Sequence, residues 1–341
     1  MISVGLIGAG RIARVHAHHL RRVDGASIVA VADPAKEAAQ SLAQLCGARV
    51  ADDAEALIAD PSVDAVIIAS STDTHCPLML TSARAGKFVY CEKPLAATLE
   101  EAAAAVAALG ERSGKVMVGF NRRFDRNHAA VQADVAHGRL GRVQTVQITS
   151  RGPNAIPPLS YLRVSGGLFF DKSIHFFDLA RWLTGDDPVE VSAMGGVIAD
   201  PEIIKADDID TGMIVLRMRD GALCMIENTR RAVYGYDDRV EVLGTGGMAE
   251  SGRITEGAVM RIFDDKILTE GLPKDPMDRM APSYAASIAA FIAFAQGQLP
   301  RAAVPGVVDG LEAQIIAAAA LRSLKEGRFV PIVEIRSELE G

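Results

Sequence analysis

The first 33 residues limit how this chain can fold more than any other stretch. A short apolar run, Ile2–Ile7, ends in Gly8-Ala9-Gly10-Arg11-Ile12-Ala13. A helical stretch to about Arg22 follows, then a second apolar run, Ser27–Ala32, closed by Asp33. This is G-x-G-x-x-A set between a strand and a helix. Gly8 permits the tight turn, Gly10 lets backbone approach a pyrophosphate, and Ala13 lets the helix press onto the sheet. The helix N-terminus at Arg11 and Ile12 offers free N–H groups and a positive dipole end to phosphates. Asp33 stands 20 residues past Ala13, where a carboxylate accepts from ribose hydroxyls and repels a 2′-phosphate, which favours NAD over NADP. The same aspartate before Pro34 also suits a helix N-cap, and the two roles are compatible.

The alternation continues with a helix over 35–46, a strand over 63–70 and a helix over 75–86. A strand over 88–91, a helix over 98–112 and a strand over 116–119 complete it. Near-continuous apolar strands alternating with helices predict a parallel sheet covered on both faces. Ligands of such sheets bind beyond the carboxyl ends of the strands. Three polar clusters fall there: Ser70-Ser71-Thr72-Asp73-Thr74-His75, Glu92-Lys93-Pro94 and Asn121-Arg122-Arg123. A lysine at a strand end can donate to a substrate hydroxyl or a developing alkoxide. A surface salt bridge in a βα loop is the plainer account of Glu92-Lys93.

Midway along the chain, Gly166–Trp182 reads GGLFFDKSIHFFDLARW. As one helix it places Asp171 and His175 four apart on one face. A carboxylate beside an imidazole is a proton-handling pair, the acid orienting the ring. A hydrogen-bonded pair on a helix surface is the alternative.

A net charge of −7 and the lack of any Lys/Arg block weigh against a nucleic-acid partner. With neither a signal core nor an uninterrupted apolar run of spanning length, a cytoplasmic protein without a membrane segment is expected. Cys46, Cys76, Cys91 and Cys224 are scattered, which suits free thiols and predicts neither disulfides nor a metal site.

The segments GLIGAGRIA (5–13), AS-STDTH (69–75), AGKFVYCEKPL (85–95), VGFNRRFD (118–125) and GGLFFDKSIHFFDLARWL (166–183) carry a resemblance. In that order they are similar to the Gfo/Idh/MocA oxidoreductase family. The resemblance implies α/β architecture: an N-terminal Rossmann dinucleotide-binding domain, residues 1–120, and a C-terminal α/β domain, residues 121–341, built on a large, mostly antiparallel sheet. It implies that Lys93, Asp171 and His175 form the catalytic group. It also implies that Ser71, His75 and Glu92 lie toward the nicotinamide, and that Arg123, Asn154 and Tyr236 face substrate; Ser70 is a further cofactor-binding candidate. Tyr284 joins them because tyrosines can line a polyol site. Segments 157–183, 207–216 and 227–251 are similar to those of members that oxidise inositol. They imply NAD-dependent oxidation of a small cyclic polyol, with another inositol isomer or an aldose as alternatives. Two departures are Ser71, where many members have proline, and Gly152, where inositol-oxidising members usually carry an acid. A nucleotide-binding sensor without turnover would show a broken trio; here Lys93, Asp171 and His175 are all present.

In the second half, 142–149, 189–198, 210–218, 222–228 and 239–243 alternate like strands, with a hairpin at Asp220-Gly221. Pro153–Ser165 reads as an irregular loop suited to covering a pocket. Helices over 283–296 and 306–326 and a short run over 329–335 close the chain. A sheet with helices on one face leaves the other solvated or paired. A homo-oligomer through that face, a dimer or tetramer, is therefore expected.

Overall fold

The computed structural model describes residues 1–152 and 156–340, and the chain divides into two compact units. One holds Met1–Phe124 and Ser283–Glu312; the other holds Asp125–Pro282 and Ala313–Gly341. A single break at 120/121 does not anticipate the return of 283–312 to the first unit.

In the first unit, β1 (Ile2–Ile7), β2 (Ala26–Ala32), β3 (Arg49–Val50), β4 (Ala65–Ile68), β5 (Phe88–Cys91) and β6 (Val116–Val118) form one sheet. Its order is β3-β2-β1-β4-β5-β6, and every pair is parallel. Helices α1 (Arg11–Leu20), α2 (Lys36–Cys46), α3 (Ala54–Ala59), α4 (His75–Arg84) and α5 (Leu99–Leu109) alternate with the strands. Helix α5 starts where Thr98 and Glu101 form a reciprocal capping box. All four residues of β4 are buried, as expected of a strand covered on both faces. The short edge strand β3 and helix α3 carry too little periodicity to be read from the sequence. The core joins Leu6, Ile67, Tyr90 and Met117 of the sheet to Leu20 and Leu42 of the helices. Ile288, Phe291 and Phe294 pack into the same core, which explains why 283–312 belongs here. Each such side chain contributes about 1.5–3 kcal/mol on burial.

The second unit contains helices α6 (Arg126–Ala136), α7 (Leu159–Leu162) and α8 (Ile174–Thr184). Its sheet runs β12-β11-β7-β10-β9-β8-β15. Those strands are β7 (Val143–Arg151), β8 (Pro188–Gly196), β9 (Thr211–Met218), β10 (Leu223–Thr229), β11 (Asp237–Gly244), β12 (Gly247–Glu250) and β15 (Val330–Pro331). All pairs are antiparallel except β10 with β7. The intervening chain from 152 to 222 is long enough to make that parallel crossover. The expected turn at Asp220-Gly221 joins β9 to β10, with Gly221 at φ +96°. A separate hairpin, β13 (Met260–Ile262) and β14 (Ile267–Thr269), stands apart from this sheet.

Helix α8 buries Ile174, Phe176, Phe177, Leu179, Ala180 and Leu183 and packs against β7. On the opposite side of the strands, Met194 pairs in register with Met213 and Val215 with Met225, and all four are exposed. The short last run over 329–335 is two residues of β15 followed by α11 (Ile332–Glu340). Helix α9 (Pro276–Ala295) begins seven residues before the expected 283. Around α10 (Val307–Glu326), the stretch 301–326 is long and apolar enough to cross a membrane, but 72% of its apolar window is buried inside the fold. It reads as a core helix.

Candidate active site

Because every strand of the first sheet is parallel, all the predicted polar clusters fall on one edge. The backbone ladder sets the row: Gly8 N–H donates to Ala32 O, Ala69 N–H to Ile7 O, Glu92 N–H to Ile68 O and Gly119 N–H to Cys91 O. The strand order reverses between β1 and β4, so the crevice opens beside Gly8 and Ser70. Gly8 has φ +101°, and a Cβ there would stand 2.6 Å from Ala69 O. Only glycine fits. Gly10 differs: nothing lies within 4 Å of where its Cβ would be, and no side chain caps the start of α1. Open space thus adjoins uncapped N–H groups at Gly10, Arg11, Ile12 and Ala13, the shape a pyrophosphate requires. Asp33 Oδ2 accepts from Ala9 N at 2.7 Å, and its Oδ1 accepts from Ala35 N at 2.8 Å. The acid therefore orders the glycine turn. These residues fit a dinucleotide.

The loop after β5 is held from several directions. His16 Nε2 donates to Glu92 Oε1 at 2.7 Å, and Lys93 N donates to Glu92 Oε2 at 3.2 Å. His75 Nδ1 donates to Pro94 O at 2.8 Å, its other nitrogen lying 3.3 Å from Ser70 O. Ser70 and Thr74 hydroxyls are 2.6 Å apart. Ser71 has φ −70° and ψ 146°, a conformation proline accepts, so the departure from the family pattern leaves this loop unchanged. Burial pushes the Glu92 carboxyl up, but the hydrogen bond and charge of His16, with Lys93 and His75, outweigh it and hold the group below its usual value. Burial lowers the His75 imidazole from 6.5, only partly offset by Pro94 O and Glu92.

Both shifts make folding weaker in acid. Below pH 6.5 the unfolded chain protonates His75 while the folded one resists, and Glu92 adds its loss as pH falls through its lowered value. Thermal melts from pH 8 to 4 should therefore show a falling midpoint below about pH 6.5. In His75→Gln the slope between pH 6.5 and 5 should flatten; an unchanged slope would rule His75 out as its source.

Asp171, His175 and Tyr236 lie in the second unit. The stretch expected to be one regular helix is not: a π-type turn over Phe169–Ser173 precedes α8. Asp171 lies in that wider turn and His175 in the first turn of α8, so the one-face spacing of a regular helix does not apply. Asp171 Oδ1 accepts from Tyr161 at 2.8 Å and Oδ2 from Arg230 Nη1 at 3.0 Å. Arg230 Nη2 donates to Asp208 Oδ2 at 3.0 Å, and Asp208 Oδ1 accepts from Leu168 N at 2.8 Å. His175 is 6% exposed. Lys172 Nζ donates to Ser150 O and Thr229 O and lies 5.8 Å from the centre of the buried Tyr236 ring. At Gly152 a Cβ would meet Arg230 O at 2.8 Å and Lys172 Nζ at 3.0 Å. An acidic side chain has no room there in this chain.

Of the remaining substrate-side choices, Arg123 is ion-paired to Asp309 at 2.9 Å. Tyr284 is buried with its ring 5.8 Å from that of His16. Asn154 lies outside the described residues. The loop expected over Pro153–Ser165 contains a helical turn, Leu159–Leu162, that presents Tyr161 to Asp171. Sequence reasoning missed His16, Tyr161, Asp208 and Arg230. The Arg230-Arg231 pair after β10 was a visible signal, but only folding brings it to Asp171.

The dinucleotide edge of the first unit is that of an NAD-dependent oxidoreductase, and the second unit carries the Asp171–Arg230–Asp208 ion pairs. The comparisons agree. Residues 2–120 match the model of the oxidoreductase family with an NAD-binding Rossmann fold, and 128–250 match the GFO/IDH/MocA C-terminal domain. The chain belongs to the Gfo/Idh/MocA oxidoreductase family. It is 40% identical over 335 residues to the myo-inositol 2-dehydrogenase of Thermotoga maritima, covering 98% of this chain and 99% of that protein. The crystal structure of a myo-inositol dehydrogenase from Corynebacterium glutamicum superposes with TM-score 0.91 at 33% identity, covering 97% and 98%. That of a myo-inositol dehydrogenase from Lactobacillus casei in complex with NAD(H) and myo-inositol gives 0.86 at 28%, covering 97% and 96%. The cofactor is NAD, as the residues at Gly8–Ala13 and Asp33 predict.

Hydrogen bonds to a charged acceptor contribute about 1.5–3 kcal/mol. Asp33→Ala should therefore raise KM for NAD roughly tenfold or more and narrow the preference over NADP. Steady-state kinetics with both cofactors checks this; an unchanged NAD/NADP ratio would exclude Asp33 as the selector.

Proposed function

We propose that the protein oxidises myo-inositol to 2-keto-myo-inositol. The observation that carries this is the likeness to a relative named for that reaction over 98% of the chain, rather than over its nucleotide half alone. Bound NAD supplies the hydride acceptor. The first turn of α1 holds its pyrophosphate and Asp33 its ribose, with Ser70, Ser71, His75 and Glu92 toward the nicotinamide. Lys93 donates to the reacting oxygen and stabilises the negative charge that grows there. His175 takes the hydroxyl proton. Asp171 orients the imidazole. Its oxygens accept from Tyr161 and Arg230, which favours a fixed charge at this carboxylate. Arg123, Asn154, Tyr236 and Tyr284 are assigned to the substrate side.

The test is a panel of myo-, scyllo- and chiro-inositol and D-glucose, run with NAD and NADP and followed by NADH absorbance. Highest kcat/KM on myo-inositol with NAD is the expected result. A clear preference for another polyol would move the assignment to that substrate.

The protein is further assigned to the cytoplasm and to a homotetramer. Exposed Met194, Met213, Val215 and Met225 make one sheet face apolar. The β13–β14 hairpin exposes Met260, Ile262, Ile267 and Leu268, a second surface. Two different self-complementary surfaces generate a tetramer where one gives a dimer. Light scattering at low protein concentration should give four chains' mass; a monomer would defeat the assignment.

A further inference from the structure

His16 is fully buried. Its Nδ1 has no hydrogen-bond partner among the described residues, and its Nε2 donates to Glu92 Oε1 at 2.7 Å. The rings of Tyr90 and Tyr284 meet the imidazole edge-on at 5.1 and 5.8 Å. In such surroundings an aliphatic side chain would fill the space without burying a polar nitrogen that goes unpaired. What an aliphatic residue cannot do is hold the carboxylate.

That carboxylate is fixed on three sides. Oε1 takes the His16 bond, and Oε2 takes the Lys93 N–H at 3.2 Å. On the third side Gly119 leaves the needed room: a Cβ there would fall 3.0–3.2 Å from three Glu92 carboxyl atoms. The chain of contacts thus runs from α1, through His16 and Glu92, to the backbone of Lys93. Helix α1 is also the helix whose first turn faces the dinucleotide.

We propose that His16 is a positioning residue for Lys93. It locks Glu92, Glu92 locks the Lys93 backbone, and the nucleotide-binding helix and the catalytic loop become one mechanical unit. The proposal rests on Lys93 acting on substrate, as assigned above, and extends it to a residue that touches neither substrate nor cofactor.

Two arms test it. In the first, backbone hydrogen exchange of the peptide covering 91–96 is measured in cofactor-free protein. His16→Leu should speed exchange there about fivefold or more over wild type, and His16→Gln, which keeps an N–H donor, should recover most of the protection. Glu92→Gln should loosen the same peptide, and it carries this arm should His16→Leu not fold. In the second arm, kcat with myo-inositol should fall about tenfold or more in His16→Leu while KM for NAD stays within about twofold. Because His16 acts through Glu92, His16→Leu should cost nothing further in a Glu92→Gln background. Wild-type exchange at 91–96 in the variants, or losses that multiply in the double variant, would overturn the proposal. A wild-type protein that oxidises no polyol would instead overturn the functional assignment, and the exchange arm would still decide the role of His16.

Discussion

Lys93→Ala is expected to lower kcat/KM for myo-inositol by about 10³-fold, and His175→Ala by about 10²–10⁴-fold. Removing one group that stabilises a developing oxyanion costs about 10²–10³ in turnover, and a positioned general base supplies about 10²–10⁴. NADH binding, followed by fluorescence, should persist in both, because the dinucleotide edge at Gly8–Ala13 and Asp33 is built without either side chain. The double variant should be little worse than the poorer single one, since the proposed roles give both groups the same oxygen and its proton. Near-normal turnover in both single variants would remove them from the chemistry.

The second large effect is expected at Arg230. This side chain is 4% exposed and spans two carboxylates, Asp171 and Asp208, at 3.0 Å each. Arg230→Met would leave two partly buried acids without this buried cation, a change that typically costs about 3–5 kcal/mol. At roughly 2–4 °C per kcal/mol for a domain of this size, the melting midpoint should fall by about 10 °C. Turnover should fall as well, because Asp171 loses its bond to Arg230 Nη1. Arg230→Lys can serve only one carboxylate at a time and should recover part of each loss. A melting point within a degree or two of wild type would show that the pair contributes no net stability.

Gly8–Ala13 and Asp33 were legible because the dinucleotide turn is local: strand, turn, helix and acid lie within 33 consecutive residues. Glu92-Lys93-Pro94 was legible as a strand-end cluster for the same reason, and parallel pairing then fixed which edge it occupies. Asp171 and His175 were found through their spacing, but on the assumption of a regular helix, which the π-type turn at Phe169–Ser173 replaces. A π turn has no marked sequence period. It is set by what its side chains meet, here Arg230 and Tyr161 at Asp171.

By itself, the sequence determined the architecture of each half and the cofactor, and it marked the candidate nucleotide-site and chemical groups. These follow from periodicity and turn chemistry, which act over a few residues. Only the tertiary structure decided that 283–312 joins the first unit, that His16 holds Glu92 and that Arg230 holds Asp171. Glu92 lies 76 residues from His16, and Arg230 lies 59 from Asp171. Such partners are chosen by the whole fold: a buried carboxylate must find a donor, and which donor reaches it depends on how strands and helices pack rather than on what stands beside it in the chain.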